Sequence, residues 1–416
     1  MDESRRGQAA QEDSMLRCCV AVMAYNEETN IENMLKALCQ QQLRKVSISE
    51  IIVVASGCTD RTEEIVREFC LRDSRIRLIS QRRRNGKSAA INTLLQHTHE
   101  EIIVLVNADT MPAPDAIEHL VAPFEDPEVG MTGGHPVPTN DSSTFMGYIV
   151  HLMWQLHHAI SLRHPKMGEL VAFRNLLRQI PPDSAVDEAS IEPLIKDQRL
   201  RLVYVPEVFV YNRGPETVSD FIKQRRRIYV GHLYVQDTTG YQVSTLRGIR
   251  ILPFFLRAAE PDRRYIFWAP WAVVLEVLAR LLATWDYRVR KRKHCVWDVV
   301  KTTKKSIQIS TSDDPRPGGH ATGSSVSFWS KVFARMRKLR LRLGNKKRKP
   351  TSQAISATTV SDHEERSSDT YVYCYDAVCL VNGSITCVQA ERPYVKSEAG
   401  WISSSSELLR ILLIMG

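Results

Sequence analysis

The chain has 416 residues, 43% hydrophobic and 25% charged, with 56 Lys and Arg against 47 Asp and Glu for a net charge of +9. These proportions belong to a globular protein and exclude a wholly disordered chain, a collagen and a multi-span membrane bundle. The basic excess is local: between Lys331 and Lys349 there are ten basic residues and no acid, so attraction to nucleic acid or anionic lipid is expected there alone.

Residues 1–14 form a polar leader without the apolar run of a secretory signal, so the protein is expected to begin in the cytosol. From Leu16 short β-branched runs alternate with helical patterns. CCVAVMA (18–24) reads as a buried strand, and TNIENMLKALCQQ (29–41) as a helix with Ile31, Met34, Leu35 and Leu38 on one face. Cys18 and Cys19 lie inside the apolar run and none of the nine cysteines forms a C-x-x-C pair, which suits buried thiols in a reducing compartment.

EIIVVAS (50–56) is a second strand, and Thr59-Asp60 supplies caps for the helix RTEEIVREFC. RIRLIS is a third strand, followed by a Gly-containing loop and the helix KSAAINTLLQH. EIIVLVNAD (101–109), the helix PDAIEHLVAPF and VGMTGGH (129–135) complete the series. Strand-to-helix units repeated in this way predict an α/β fold, a mostly parallel sheet with helices on both faces. Ligands bind such sheets at the carboxyl ends of the strands.

Beyond Pro136 a Met-, Trp- and His-rich helix is predicted over 145–162, a strand interrupted by Pro206 over 201–212, and a helix with a basic centre over 218–236. An apolar stretch (265–285) precedes Arg288, Arg290, Lys291, Arg292 and Lys293. The domain reading is a catalytic unit over 15–240, an apolar or amphipathic segment with a basic flank over 241–300, a linker over 301–327, a basic amphipathic helix over 328–349, and a low-complexity tail over 350–416. In the tail Asn382-Gly383 marks a hairpin.

Polar groups gather unevenly at the strand ends. Strand one ends in Tyr25, Asn26 and Glu27, able to meet a base or ribose. Strand two ends at Ser56, and strand three leads to the cationic loop Arg84, Asn85, Gly86 and Lys87 before a helix N-terminus. Backbone N–H groups and a cation together suit phosphate. Strand four ends at Asn107-Ala108-Asp109, where an isolated carboxylate opposite a basic loop suits a diphosphate with a divalent cation. Taken singly, such an acid also serves as a turn or helix cap.

In order, VAVMAYNEETNIENMLKAL, EIIVVASGCTDRT, NGKSAAIN, VLVNADTMPAPDAI and PEVGMTGG, continued by GELVAFRNLL, VDEASIE, RLVYVPE and KQRRRI, cover about residues 16–236. This series resembles the nucleotide-sugar-binding half of the family 2 glycosyltransferases, whose members include cellulose, chitin and hyaluronan synthases and dolichol-phosphate sugar transferases. The resemblance implies a GT-A fold and inverting transfer of a sugar from a nucleoside diphosphate, with Mg²⁺ or Mn²⁺.

By the same resemblance Asp109 matches the last acid of the D-x-D metal motif, whose first acid is here Asn107. Asp187-Glu188 falls where the family carries its general base. Spacing favours Glu188 and residue type Asp187, so both are candidates. Gln224 and Arg227 of QRRRI match Q-x-x-R-W and would contact the diphosphate, with Ile228 where the acceptor-holding Trp would stand. Tyr25, Asn26, Glu27 and Lys87 match donor positions. The acidic pair that usually ends strand two is replaced by Ala55-Ser56, which leaves base specificity open.

The 265–285 stretch is long enough to span a bilayer, yet Glu276 and Arg280 lie at its middle. An interfacial helix, or one packed on the catalytic unit, is therefore expected, with the basic cluster against anionic headgroups. In FWSKVFARMRKLRLRL an apolar stripe opposes a basic one, as in a surface-lying membrane helix. The sequence thus predicts a transferase at the cytoplasmic face of a membrane, taking a nucleotide-sugar donor and a lipid-linked or carbohydrate acceptor, with no nucleic-acid partner. Two alternatives stand beside it: a nucleic-acid binder using 328–349 on a degenerate transferase scaffold, and a sugar-phosphate nucleotidyltransferase. The latter would need a glycine-rich loop where AYNEETN stands.

Overall fold

The computed structural model describes residues 15–243, 254–255, 263–291, 301–307, 377–381 and 384–388. The predicted helix over 328–349, the polar leader and most of the tail lie outside them. Two compact units divide the chain, residues 1–340 and 341–416.

The first unit is built on an eight-stranded sheet. Its strands are β1 (Leu16–Ala24), β2 (Val46–Ser56), β3 (Ile76–Gln81), β4 (Ile102–Asn107), β5 (Met111–Pro112), β6 (Val129–Pro138), β7 (Leu170–Arg174) and β8 (Arg201–Asn212), in the order β3-β2-β1-β4-β7-β6-β8-β5. The run β3-β2-β1-β4 is parallel, as the alternation of strands and helices requires. The expectation of a mostly parallel sheet holds, since β6 and β8 are also parallel, but the far half adds antiparallel pairings. β7 runs antiparallel to both β4 and β6, and β5 is antiparallel to β8, so the sheet is mixed. β7 went unpredicted as a strand because five residues, LVAFR, are too short to show a period.

Pro206 does not interrupt β8. Its missing N–H is accommodated by a register shift against β6, where Gly133 faces Tyr204 but His135 faces Phe209.

Period-two alternation sends the two faces of the strands into separate layers. Cys18, Val20 and Val22 pack with α1 (Ile31–Cys39), α2 (Thr62–Arg72) and α4 (Ala116–Val121). Cys19, Ala21 and Met23 pack with α3 (Lys87–Leu95) and α6 (Asp187–Asp197). Cys18 and Cys19 are free, fully buried thiols, and burial pushes the Cys18 thiol up to about 12. At α2, Asp60 accepts the Thr62 N–H, whereas Thr59 serves the neighbouring loop and does not cap.

Three helices complete the unit: α5 (Phe145–Ser161), α7 (Val218–Thr239) and α8 (Arg263–Arg288). α8 is long and apolar enough to cross a membrane, but it carries its polarity inverted relative to a helix on a soluble protein. Its polar side chains face α7: Glu276 accepts Arg225 Nε and Nη2 at 2.7 and 2.9 Å, and the fully buried Asp286 pairs with Arg226. Its outer face exposes Ile266, Phe267, Trp271, Val274, Leu278, Leu281 and Trp285.

Residues 301–307, read from sequence as the start of a linker, instead fold onto the sheet. A 3-10 turn covers Lys301–Lys304, and Ile307 is buried in the core layer beneath β1 and α1. In the second unit Ala377–Val381 and Ser384–Val388 pair antiparallel, with Val381 opposite Ser384.

Candidate active site

A cavity of about 620 Å³ opens at the carboxyl ends of β1, β2 and β4, bounded by α5, α6, α7 and α8. It gathers Tyr25, Glu27, Ser56, Lys87, Asn107, Asp109, Asp187, Glu188, Gln224 and Arg227, residues drawn from six separated stretches of sequence. Asn26 is the exception among the residues predicted to bind donor. It adopts φ 51°, a left-handed backbone that Asn tolerates, and its amide is spent on Thr59: Nδ2 donates to Oγ1 at 3.0 Å and Oδ1 accepts the Thr59 N–H at 2.8 Å. Asn26 therefore ties the β1 loop to the β2 loop and contacts no cavity.

The cationic loop splits its labour. Arg84 lies over the Tyr25 ring, its Cζ 3.9 Å from the centroid. Gly57, at φ +67°, backs the loop so closely that a Cβ there would stand 2.6 Å from the Arg84 nitrogen. Lys87 turns to the acids at the start of α6, with Nζ 2.5 Å from Asp187 and 3.7 Å from Glu188. These charges raise the Lys87 pKa against the opposing effect of burial. The Ser56 hydroxyl is buried on the cavity wall without a partner.

Sequence reasoning missed two residues at the end of β4. Glu169, at φ 59° just before β7, accepts the Asn107 amide at 3.3 Å. Burial, and then the Asp109 charge, raises its pKa. Lys304, from the 3-10 turn, puts Nζ 2.6 Å from Glu27 Oε1 and 2.9 Å from the Asn26 carbonyl, and also donates to the Tyr25 carbonyl. Burial and Asp109 push the Glu27 carboxyl up to about 7, while Lys304 opposes the shift. Nothing local in KTTKKS marks Lys304, because its partners lie some 277 residues earlier. Glu169 was within reach of sequence reading as the acid that opens GELVAFR.

Across the cavity, burial and the neighbouring Asp187 charge raise Glu188 to about 7, with Lys87 opposing. Arg227 faces Asp187, Glu169, Glu188 and Asp109 together, and burial lowers it to about 10 despite them. Five carboxylates thus meet Lys87, Arg227, Lys304 and Arg84 around one space. The described residues contain no group of three or more His, Cys, Asp or Glu able to hold a metal by themselves. Asp109 as a single hard oxygen ligand, with diphosphate oxygens completing the shell, is compatible with Mg²⁺ or Mn²⁺.

The basic centre of α7 is shared out residue by residue: Arg225 to Glu276, Arg226 to Asp286 and Arg227 to the cavity acids. Ile228 lines the cavity and packs against Val186 and Ala189.

Residues 19–180 match the model of glycosyl transferase family 2, and that stretch is a domain of the family. It ends before Asp187, so the α6 acids and the α7 arginines lie beyond the match. Among curated relatives, the chain is 36% identical over 104 residues to dolichyl-phosphate beta-glucosyltransferase ALG5C of Trichomonas vaginalis, covering 24% of this chain and 31% of that one. It is 31% identical over 113 residues to beta-monoglucosyldiacylglycerol synthase of Nostoc, covering 27% of this chain and 24% of that one. The chain therefore spans about a third or less of the length of these two relatives. A mannosyltransferase from Pyrobaculum calidifontis, solved with GDP-Man and Mn²⁺, superposes with a TM-score of 0.43 at 20% identity, covering 79% of this chain and 81% of that one.

Proposed function

We propose that this protein is an inverting glycosyltransferase that moves a sugar from a nucleoside diphosphate to an acceptor presented at a membrane surface. The observation that carries the reading is that Asp109, at the tip of β4, and the Asp187-Glu188 pair, at the start of α6, open into the same cavity, so one activated sugar can meet both. The family match over 19–180 supports the class of reaction.

Glu188 serves as the base. With a pKa near 7 it is about half ionised at neutral pH, and the ionised form is basic enough to draw a proton from an acceptor hydroxyl. The acceptor oxygen then forms a bond to the anomeric carbon as the bond from that carbon to the diphosphate oxygen breaks on the opposite side. The nucleoside diphosphate leaves with the electron pair. Arg227 and Lys87 stand where their charges offset the negative charge that accumulates on the leaving group. The Ser56 hydroxyl and Tyr25 line the side of the cavity open to the nucleotide. A divalent cation held by Asp109, with the Asn107 carbonyl oxygen beside it, would neutralise diphosphate charge.

The membrane part of the reading rests on α8. A helix whose ionic side chains are turned inward and whose outer face presents Phe267, Trp271, Leu278, Leu281 and Trp285 is suited to lipid rather than water. The basic flank, from Arg288 to Arg290 and Lys291, suits anionic headgroups, and the cytoplasmic leaflet is the one that carries them. Both curated relatives named above carry a lipid in their names, dolichyl phosphate in one and a glucosyldiacylglycerol in the other.

Asp109→Ala tests the core of the proposal. A thermal-shift panel of UDP- and GDP-sugars with Mn²⁺ should show stabilisation of the wild type that the variant loses, together with transfer, at an unchanged ligand-free melting point. Full activity in the variant would remove Asp109 from the site.

A further inference from the structure

The mechanism above leaves Glu169 without work, although its backbone is held in a costly shape. The Leu170 N–H donates to the Gly168 carbonyl at 2.7 Å across Glu169, whose φ is 59°. This is a γ-turn of the left-handed kind, rare and strained for a side chain of this size. Such strain persists where the surroundings over-determine it, and it gathers at binding sites. The turn immediately precedes β7 and brings the carboxylate to the tip of β4, where Oε2 accepts the Asn107 amide at 3.3 Å. Oε1 accepts no hydrogen bond of that length among the described residues.

Glu169 lines the cavity, and its charge acts on both halves of the reaction machinery. On the donor side it is bonded to Asn107, two residues before Asp109, and the Asp109 charge acts on it. On the acceptor side its own charge acts on Glu188, and it helps to hold Lys87 and Arg227 in their ionised forms. In the transfer proposed above, the anomeric carbon lies between the diphosphate held at Asp109 and the acceptor oxygen drawn by Glu188. A carboxylate coupled to both acids therefore stands beside the sugar itself.

A second acceptor group stands with it. Asn212, which closes β8, is 5% exposed and lines the cavity, and its Oδ1 has no hydrogen-bond partner among the described residues. The Asn212 amide also favours the ionised form of Glu169, so the two side chains are neighbours. A carboxylate oxygen and an amide oxygen that face no donor call for a ligand rich in O–H groups, and they would repel a phosphate.

Resting on the transferase reading above, we propose that Glu169, with Asn212 beside it, binds hydroxyl groups of the sugar being transferred and so selects the donor. The ligand is a glycosyl group whose hydroxyls are unsubstituted on the side that meets the turn. A hydroxyl donating to a carboxylate makes a charge-assisted bond. A site built from acceptors alone discriminates against a sugar whose hydroxyl there is missing or turned away.

The test titrates the full chain, in neutral detergent with Mn²⁺, with UDP, GDP, UDP-glucose and GDP-mannose. Glu169→Gln keeps the shape and removes the charge. Glu169→Asp keeps the charge, tolerates the left-handed backbone and draws the carboxylate back by one methylene. In both variants the sugar nucleotide that the wild type binds should weaken about 10- to 100-fold, while its parent diphosphate keeps its affinity within about twofold. Equal weakening of sugar nucleotide and diphosphate overturns the proposal, because it assigns Glu169 to the cation, the diphosphate or the fold. Unchanged sugar-nucleotide binding in either variant overturns it as well. The Asp variant carries the comparison where the Gln variant folds poorly. If none of the four ligands binds the wild type, the transferase reading itself fails. If they bind and the variants lose nothing, or lose both ligands alike, the Glu169 assignment fails and the transferase reading survives.

Discussion

Asp187 and Glu188 are neighbours in sequence and share the first turn of α6, yet their surroundings give them different work. Asp187 is held 2.5 Å from Lys87, whereas Glu188 stands farther from that ammonium at 3.7 Å and is raised to about 7 by burial. Glu188→Gln should cost about 10²- to 10⁴-fold in kcat. In the wild type kcat/KM should fall about tenfold per pH unit below about pH 7, because only the ionised carboxylate accepts the proton. Asp187→Asn should leave that acidic limb in place and lower the melting point, since it leaves a buried Lys87 without its nearest partner. A pH profile that loses its acidic limb in Asp187→Asn, and keeps it in Glu188→Gln with residual activity, would reverse the two roles. Lys304 invites a different measurement. Its ammonium lies against Glu27 and near Asp109, where a divalent cation would compete with it. Lys304→Met should therefore tighten Mn²⁺ binding in the absence of nucleotide, and an unchanged Mn²⁺ titration would show that the two cations do not compete.

Among the elements, α8 makes the sharpest claim. A stretch such as YIFWAPWAVVLEVLARLLATW reads equally as a span, an interfacial helix or a core helix. What separates these is which face meets protein, and here Glu276 and Asp286 meet Arg225 and Arg226 of α7. Asp286→Ala should loosen α8 from α7, with a cost of about 2 kcal/mol once the partial exposure of Arg226 is allowed for. Trp271→Lys with Leu281→Lys on the outer face should do the reverse: flotation with anionic vesicles should drop several-fold while the melting point holds. Vesicle binding unaffected by both lysines would dissociate this face from the membrane. The strap 301–307 shows the limit of composition as a guide. Its Ser, Thr and Lys content resembles a linker, but Ile307 is buried in the core and the half-buried Lys304 is held by Glu27 and two carbonyls of the β1 loop.

Across the whole molecule, neutral buried histidines contribute one part of the pH response. His135 stacks on His158 with ring centroids 4.0 Å apart, His158 Nδ1 meets the Tyr204 hydroxyl at 2.8 Å, and His157 is packed beside them. Burial lowers all three, His158 to about 4. Above about pH 6.5 the folded and unfolded chains are both neutral at these sites and no stability is lost. Below that value the unfolded chain takes up protons that the folded one excludes. The histidine contribution should then fall by roughly 1.4 kcal/mol per pH unit for each ring, until the folded pKa is reached. Glu27 and Glu188, raised to about 7, act with the opposite sign because the folded chain binds their protons first, so the histidine effect is read by difference: from pH 6.5 to 5.0 the urea midpoint of His158→Asn should lose less, or gain more, than that of the wild type. The same change in both proteins would mean that the His158 ring is accessible to protons in the folded state.

The amino-acid sequence by itself determined the parallel run of the sheet, the alternation that buries it on both faces, and a set of eleven site residues of which ten line the cavity. These are local properties: hydrophobic period, a loop ending on a helix N-terminus, a carboxylate closing a strand. Tertiary structure alone decided the rest. It inserted β7 antiparallel between β4 and β6, turned Asn26 away from the cavity onto Thr59, divided Arg225, Arg226 and Arg227 among three different partners, and brought Lys304 to Glu27. The physical reason is common to all four. Each depends on a charge or hydrogen-bonding group being satisfied by a residue far along the chain, and such pairing is fixed by where the chain returns in space rather than by any pattern in its neighbours.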